Sequence, residues 1–244
     1  MEITHVTLKT DKLTHSVKIA VVADLHDRYD QTIIRAIEKN APDLVAVPGD
    51  LLHNENSQKN GLEFLSWSAE RYATFVSLGN HEWKCHGDIR AKLKETGANL
   101  LDNDFLPFGE LVVGGLSSGY EGKRQGRFKR TPDPDTAWLD GFCVQKGFKL
   151  LLCHHPEYYQ RHLKERAVDL TIAGHAHGGQ WRFFGIPVFS PGQGILPRYT
   201  NGLYHGRLLV SRGLANRAKI PRIFNPTQLI ILTLAPKENG VVKP

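Results

Sequence analysis

An α/β fold is what this chain of 244 residues predicts, and three observations carry the prediction. Short apolar runs alternate with segments of helical period, the pattern of βαβ units and a largely parallel sheet. Five of the runs lead within three residues to an Asp, Asn or His, and the final three runs follow one another without helices between them. A hydrophobic content of 41% is enough to bury one large core at this length, and no linker, repeat or low-complexity tract divides the chain. A single domain over residues 1–244 is expected.

Residues 1–18 alternate polar and apolar side chains and contain no apolar segment of the signal-peptide kind. The run 19–23 leads into Asp24-Leu25-His26. Asp30 then stands where an N-cap would, Ile33, Ile34 and Ile37 share one face, and Asn40 before Pro42 marks a stop, so a helix is expected over about 31–40. The run 44–47 ends on Gly49-Asp50. A second helix over about 58–70 precedes the run 74–78, which ends on Gly79-Asn80-His81-Glu82. A third, about 87–96, has Ile89 and Leu93 one turn apart and stops at Gly97. From residue 110 onward the runs 111–113, 149–153, 170–173, 186–189, 208–210 and 229–234 are mostly short, so the second half is expected to mix strands and loops. Two of them end on His154-His155 and on Gly174-His175-Ala176-His177-Gly178-Gly179.

Lys and Arg exceed Asp and Glu by 31 to 25, a formal charge of +6 that favours phosphates, nucleic acid or acidic lipid surfaces as partners. Cys85, Cys143 and Cys153 are odd in number and widely spaced, which argues against a disulfide framework and for a reducing compartment, the cytoplasm by default. No window approaches the roughly 18 uninterrupted apolar residues of a membrane span.

In open α/β sheets ligands bind at the carboxyl ends of the strands, and Asp24, Asp50, Asn80, His154 and His175 all fall there. One Asp or Asn after a strand is ordinarily a turn former or a helix cap. Five at equivalent positions, several beside glycines that let the backbone turn sharply, describe a site. The donors are carboxylate, amide and imidazole without thiolate, which suits divalent transition ions.

Asp24-x-His26, Gly49-Asp50, Gly79-Asn80-His81-Glu82, His154 and Gly174-His175-x-His177 resemble the five ordered motifs of the calcineurin-like metallophosphoesterase superfamily. The tail, with Gly178-Gly179-Gln180, Gly185-Ile186-Pro187, Tyr199, Gly202-Leu203-Tyr204 and Val210-Ser211-Arg212-Gly213-Leu214, more loosely resembles a bacterial branch of phosphodiesterases related to UDP-2,3-diacylglucosamine hydrolases. Asn225-Pro226-Thr227-Gln228 departs from that branch, which often has Pro-Glu there.

The resemblance implies a layered α-β-β-α sandwich with mixed sheets. It implies two divalent ions, Mn2+ by expectation with Fe2+ or Zn2+ as alternatives: Asp24, His26 and His177 on one, Asn80, His154 and His175 on the other, and the Asp50 carboxylate across both. A metal-bridging hydroxide would attack a phosphodiester, pyrophosphate or phosphomonoester, with His81 donating to a phosphoryl oxygen or to the leaving alkoxide. The substrate would be a phosphorylated small molecule or a lipid-linked one. A nuclease is the alternative enzyme, against which no recognised nucleic-acid-binding motif or stable nucleic-acid complex is expected. A non-catalytic interaction module is the alternative outside enzymes, against which stands the full set of expected ligands.

His154 and His155 compete for one ligand position, and the apolar run, His, variable residue, Pro pattern favours His154, leaving His155 to line the substrate cleft. His53 reads either as a partner behind the ligands or as a surface residue. The basic segment 121–130, with Arg124 and Arg127 as candidate substrate contacts, reads either as a solvated loop or as a flap that gathers anions. The group Trp181, Phe183, Phe184, Ile186, Val188 and Phe189 is expected in the core; exposed, it would suit an acyl chain or peripheral contact with a membrane.

Overall fold

Two six-stranded sheets lie face to face between helical layers. The computed structural model describes residues 1–28, 30–123, 130–216 and 221–237. The first half runs β1 (Glu2–Thr10), β2 (Val17–Val21), α1 (Gln31–Asn40), β3 (Leu44–Val47), α2 (Lys59–Ala69), β4 (Ala73–Val76), α3 (Ile89–Glu95) and β5 (Asn99–Leu100). Then come β6 (Asp104–Phe108), β7 (Leu111–Leu116), α4 (Leu139–Cys143), β8 (Phe148–Cys153) and β9 (Leu170–Ala173). Four two-residue strands follow: β10 (Arg182–Phe183), β11 (Ile186–Pro187), β12 (Phe189–Ser190) and β13 (Gly194–Ile195). The chain closes with β14 (Gly202–Tyr204), β15 (Leu208–Val210) and β16 (Gln228–Pro236).

The first sheet has the order β1-β16-β2-β3-β4-β5 and the second β14-β15-β9-β8-β7-β6. Strands β2 to β5 are parallel to one another, as are β7, β8, β9 and β15; β16 runs antiparallel to β2, β6 to β7 and β14 to β15. The fold is thus α/β with mixed sheets. Side chains alternate across each strand, so neighbours in one run serve two cores. Ile19, Val21, Leu44, Phe75 and Leu232 meet Leu111, Val113, Leu150, Leu152 and Leu209 between the sheets. Ala20, Val45, Val76 and Ile231 face the other way, against Ile33 and Ile37 of α1, Phe64 and Leu65 of α2, and Leu93 of α3. Phe142 of α4 and Tyr159 and Leu163 of a short helical turn cover Val112, Leu151 and Val210 on the far side of the second sheet.

The expected helix 31–40 forms as α1, with the Asp30 carboxylate accepting from Thr32 N at 2.9 Å. The third starts two residues later than expected because Asp88 caps it, accepting from Ala91 N. One feature was not read from the sequence, and one expectation is corrected. The edge strand β1 pairs in parallel with β16 over its whole length, a contact between the two ends of the chain. The group 181–189 is not core throughout: Phe184 is 103% exposed and Ile186 57%, because β10 to β13 form two separate two-stranded ladders outside both large sheets. Among the described residues no helix is long and apolar enough to cross a membrane.

Candidate metal centre

The ends of β2, β3, β4, β8 and β9 converge where the two sheets meet. Main-chain bonds continue past the strand ends and zip the loops together: Asp24 N donates to Gly49 O at 3.3 Å, His26 N to Asp50 O at 3.0 Å, and Gly174 N to His154 O at 3.1 Å. The loops pass so closely that a Cβ on Gly79 would sit 2.3 Å from Asp50 Oδ1. Asp24, His26, Asp50, His175 and His177 all hold left-handed backbone, with φ between 45° and 62°. Such conformations are uncommon outside glycine and cluster where function demands them.

Two of the groups of donors that result consist wholly of expected ligands. Asp24, His26 and His177 form one and Asp50, His154 and His175 the other, with the ligand-type atoms of each group within 4.8 Å of one another. Asp50 Oδ2 lies 3.1 Å from His154 Nε2 and 3.8 Å from His26 Nε2, so this carboxylate touches both. Asp24 Oδ1 lies 3.7 Å from His177 Nε2 and 3.9 Å from His154 Nε2. Asn80 is 2% exposed and sits between Gly79 and His81, whose N–H donates to Asp50 Oδ1 at 2.8 Å.

The electrostatics fit a cation site. Burial pushes the Asp24 carboxyl up to about 6, against the pull of His154, while Asp50 is held well below the usual range because His154 and His81 outweigh its burial. Burial also holds His26, His175 and His177 far below the ordinary imidazole value, which keeps them neutral lone-pair donors. Two buried carboxylates among neutral imidazoles match Mn2+, Fe2+ or Zn2+. No thiol competes, since burial raises Cys153 far above its usual value and Cys85 to about 12.

Residues 17–179 match the pattern of the calcineurin-like phosphoesterases, a span that takes in every expected ligand. The chain belongs to that family. It is 28% identical over 253 residues to an uncharacterized metallophosphoesterase of Campylobacter jejuni, an alignment covering 97% of this chain and 64% of that one, so it spans less than two thirds of that relative. With an uncharacterized metallophosphoesterase of Aquifex aeolicus it shares 27% identity, over 96% of this chain and 91% of the other. A phosphopantetheinyl hydrolase of Mycobacterium tuberculosis superposes with a TM-score of 0.48 at 13% identity, covering 81% of this chain and 89% of that one.

In this calcineurin-like phosphoesterase both competing histidines are fully buried beside His175. His154 Nε2 lies 3.1 Å from Asp50 Oδ2 and 3.2 Å from His175 Nδ1, while the His155 ring lies 4.3 Å from that of His175. His155 is fully buried, 2.7 Å from Ser118 Oγ through Nε2 and 3.6 Å from Glu157 Oε1 through Nδ1, and therefore lines no open cleft. Arg124 and Arg127 lie outside the described residues.

Three supports were not read from sequence. Glu82, fully buried, accepts from Asp50 N and Leu52 N, both at 3.0 Å, and from Gly79 N at 2.8 Å, locking two ligand loops together. Burial and the Asp50 charge push it up to about 7 against the Leu52 and Asp50 N–H groups and the pull of His154. Lys84 Nζ lies 2.9 Å from His81 Nε2, while His81 Nδ1 lies 2.6 Å from the His53 carbonyl. A carbonyl only accepts, so Nδ1 carries the proton. Arg222, from the far end of the chain, donates to Arg212 O, Ala215 O and His177 Nδ1, the last at 3.1 Å. Glu82 was visible within its motif as a charged residue next to the ligands; nothing local marks Lys84 or Arg222.

Proposed function

We propose that this protein hydrolyses phosphate esters at a pair of divalent ions shared between the two sheets. The observation that carries the reading is the Asp50 carboxylate, in reach of donors from both groups. Asp24, His26 and His177 would hold one ion, Asn80, His154 and His175 the other, and Asp50 both. Bound there, the ions would polarise the phosphoryl group and lower the pKa of water toward roughly 7, which supplies a nucleophile without a side-chain base.

The chain's own contribution is order and protons. Glu82 fixes the Asp50 and Gly79 loops, and Arg222 fixes His177. His81, tethered through Nδ1, turns Nε2 toward Asp50 Oδ2 at 3.9 Å and toward the Lys84 ammonium. Because the Lys84 ammonium donates to Nε2, a proton bound for the leaving alkoxide would pass from Lys84 Nζ to Nε2 and on to the alkoxide, leaving His81 neutral and Lys84 an amine that solvent reprotonates. Such general-acid help contributes about 10²- to 10⁴-fold. Resemblance to the UDP-2,3-diacylglucosamine hydrolase branch favours diester or pyrophosphate linkages over monoesters, and the Asn225 to Gln228 departure weakens that finer reading.

Turnover of bis-p-nitrophenyl phosphate with added Mn2+ tests the proposal, with p-nitrophenyl phosphate and single-stranded DNA as competing substrates. Asp50→Ala should abolish turnover and His81→Ala should lower kcat by at least about 10²-fold. Inactivity with every divalent ion tried, or full activity of Asp50→Ala, would sink the reading.

A further inference from the structure

Next to the ligand-bearing turn at His177 the chain builds a layer that no part of the described fold covers. Phe183, Phe184, Ile186, Ile195, Leu196 and Phe224 are 43%, 103%, 57%, 77%, 69% and 77% exposed. They belong to one surface, because main-chain bonds lace their turns side by side: Val188 N donates to Trp181 O at 2.9 Å, Leu196 N to Val188 O at 3.0 Å and Arg182 N to Ile223 O at 3.0 Å. The Phe183 and Phe224 rings are 6.1 Å apart.

Local chemistry gives no reason for these residues. Phe184, Leu196 and Phe224 sit at turns with φ of 51°, 52° and 50°, left-handed backbone where glycine or asparagine is the easy choice. A bulky apolar side chain there is strained and gains nothing from burial. Residues that break a local rule without a compensating contact in the fold mark a surface with a function.

Charge narrows the partner. From residue 170 to 237 the sequence contains eight Lys and Arg, and all 25 Asp and Glu lie outside that segment. Arg198 is exposed beside Leu196. A second copy of the chain would bring Arg182 and Arg198 against themselves across a two-fold axis, with no carboxylate from the segment to pair them. Isolated apolar side chains at turn tips on a positive background instead suit the headgroup region of an anionic bilayer. We propose that this layer docks the protein on an anionic lipid surface. The layer hangs from the ligand-bearing turn: Asn225 Nδ2 donates to His177 O at 2.7 Å and to Gln180 O at 3.2 Å. Docking would hold the metal centre beside the bilayer and give it access to phosphate esters of lipids.

Co-sedimentation with vesicles tests the docking without metal, substrate or turnover, so its outcome is separate from that of the catalytic proposal. The chain should bind vesicles of phosphatidylcholine and phosphatidylglycerol, bind phosphatidylcholine alone much more weakly, and be released by high salt. Phe184→Asp and Ile195→Asp should each lower partitioning by roughly ten-fold or more. Both side chains are exposed, so turnover of bis-p-nitrophenyl phosphate should stay at the wild-type level and report that the variants fold. Equal partitioning of the wild type and the two variants, absence of binding to either vesicle, or light scattering that shows a dimer lost on Phe184→Asp would overturn the proposal.

Discussion

Replacing Gly79 with alanine asks whether Asp50 is common to both ions. The Cβ would lie 2.3 Å from Asp50 Oδ1 and 2.5 Å from Asp50 N, where ordinary contact begins at 3.4 Å. Gly79 does not occupy left-handed backbone, so the insult is purely steric. Asp50 must retreat by ~1 Å, because the close-packed loop leaves no other space. Overpacking of this kind costs about 1–3 kcal/mol of stability, and a ~1 Å displacement of a site group costs about 10²-fold in rate. If one carboxylate serves both ions, Gly79→Ala weakens both, so titration calorimetry with Mn2+ should show two weakened binding events rather than one. Gly141→Ala is the control: its Cβ meets nothing within 4 Å, and in helix α4 it should be neutral or stabilising by about 0.5–1 kcal/mol. Turnover of Gly79→Ala close to that of the wild type, or loss of one ion only, would refute the shared-carboxylate argument.

Two further outcomes follow from the same geometry. His154→Ala should lose bound metal by elemental analysis, whereas His155→Ala should keep it and instead lose about 2–3 kcal/mol in urea denaturation, since Ser118 and Glu157 lose a buried partner; the reverse pattern would exchange their roles. Protein stripped of ions should lose stability as pH falls through about 6.5, because burial depresses His26, His175 and His177 and the unfolded chain therefore takes up protons first, at up to about 1.4 kcal/mol per pH unit for each. His154 acts in the opposite sense: burial lowers it, but the Asp50 carboxylate overcomes this and raises it to about 9, so its share of stability is lost as pH rises from 6.5 toward 9. Asp24 and Glu82, raised by burial to about 6 and about 7, act in the same sense as His154, so urea denaturation in EDTA at pH 5.5 and 7.5 is read by comparison: His26→Gln should lose less stability than the wild type at pH 5.5, and an equal loss would contradict the reasoning.

The sequence by itself determined the strand-then-donor order and the helix 31–40 with its Asp30 cap. These are local: apolar period and cap chemistry are set within a few residues. Only the tertiary structure decided that β1 closes against β16, that Glu82 collects three N–H groups from two loops, that Lys84 and the His53 carbonyl take opposite nitrogens of His81, and that Arg222 reaches His177. It also turned Phe184 and Ile186 outward, where an apolar run alone reads as core. Each depends on how sheets and loops distant in the chain pack together, a property of register and closure that no short stretch of residues carries.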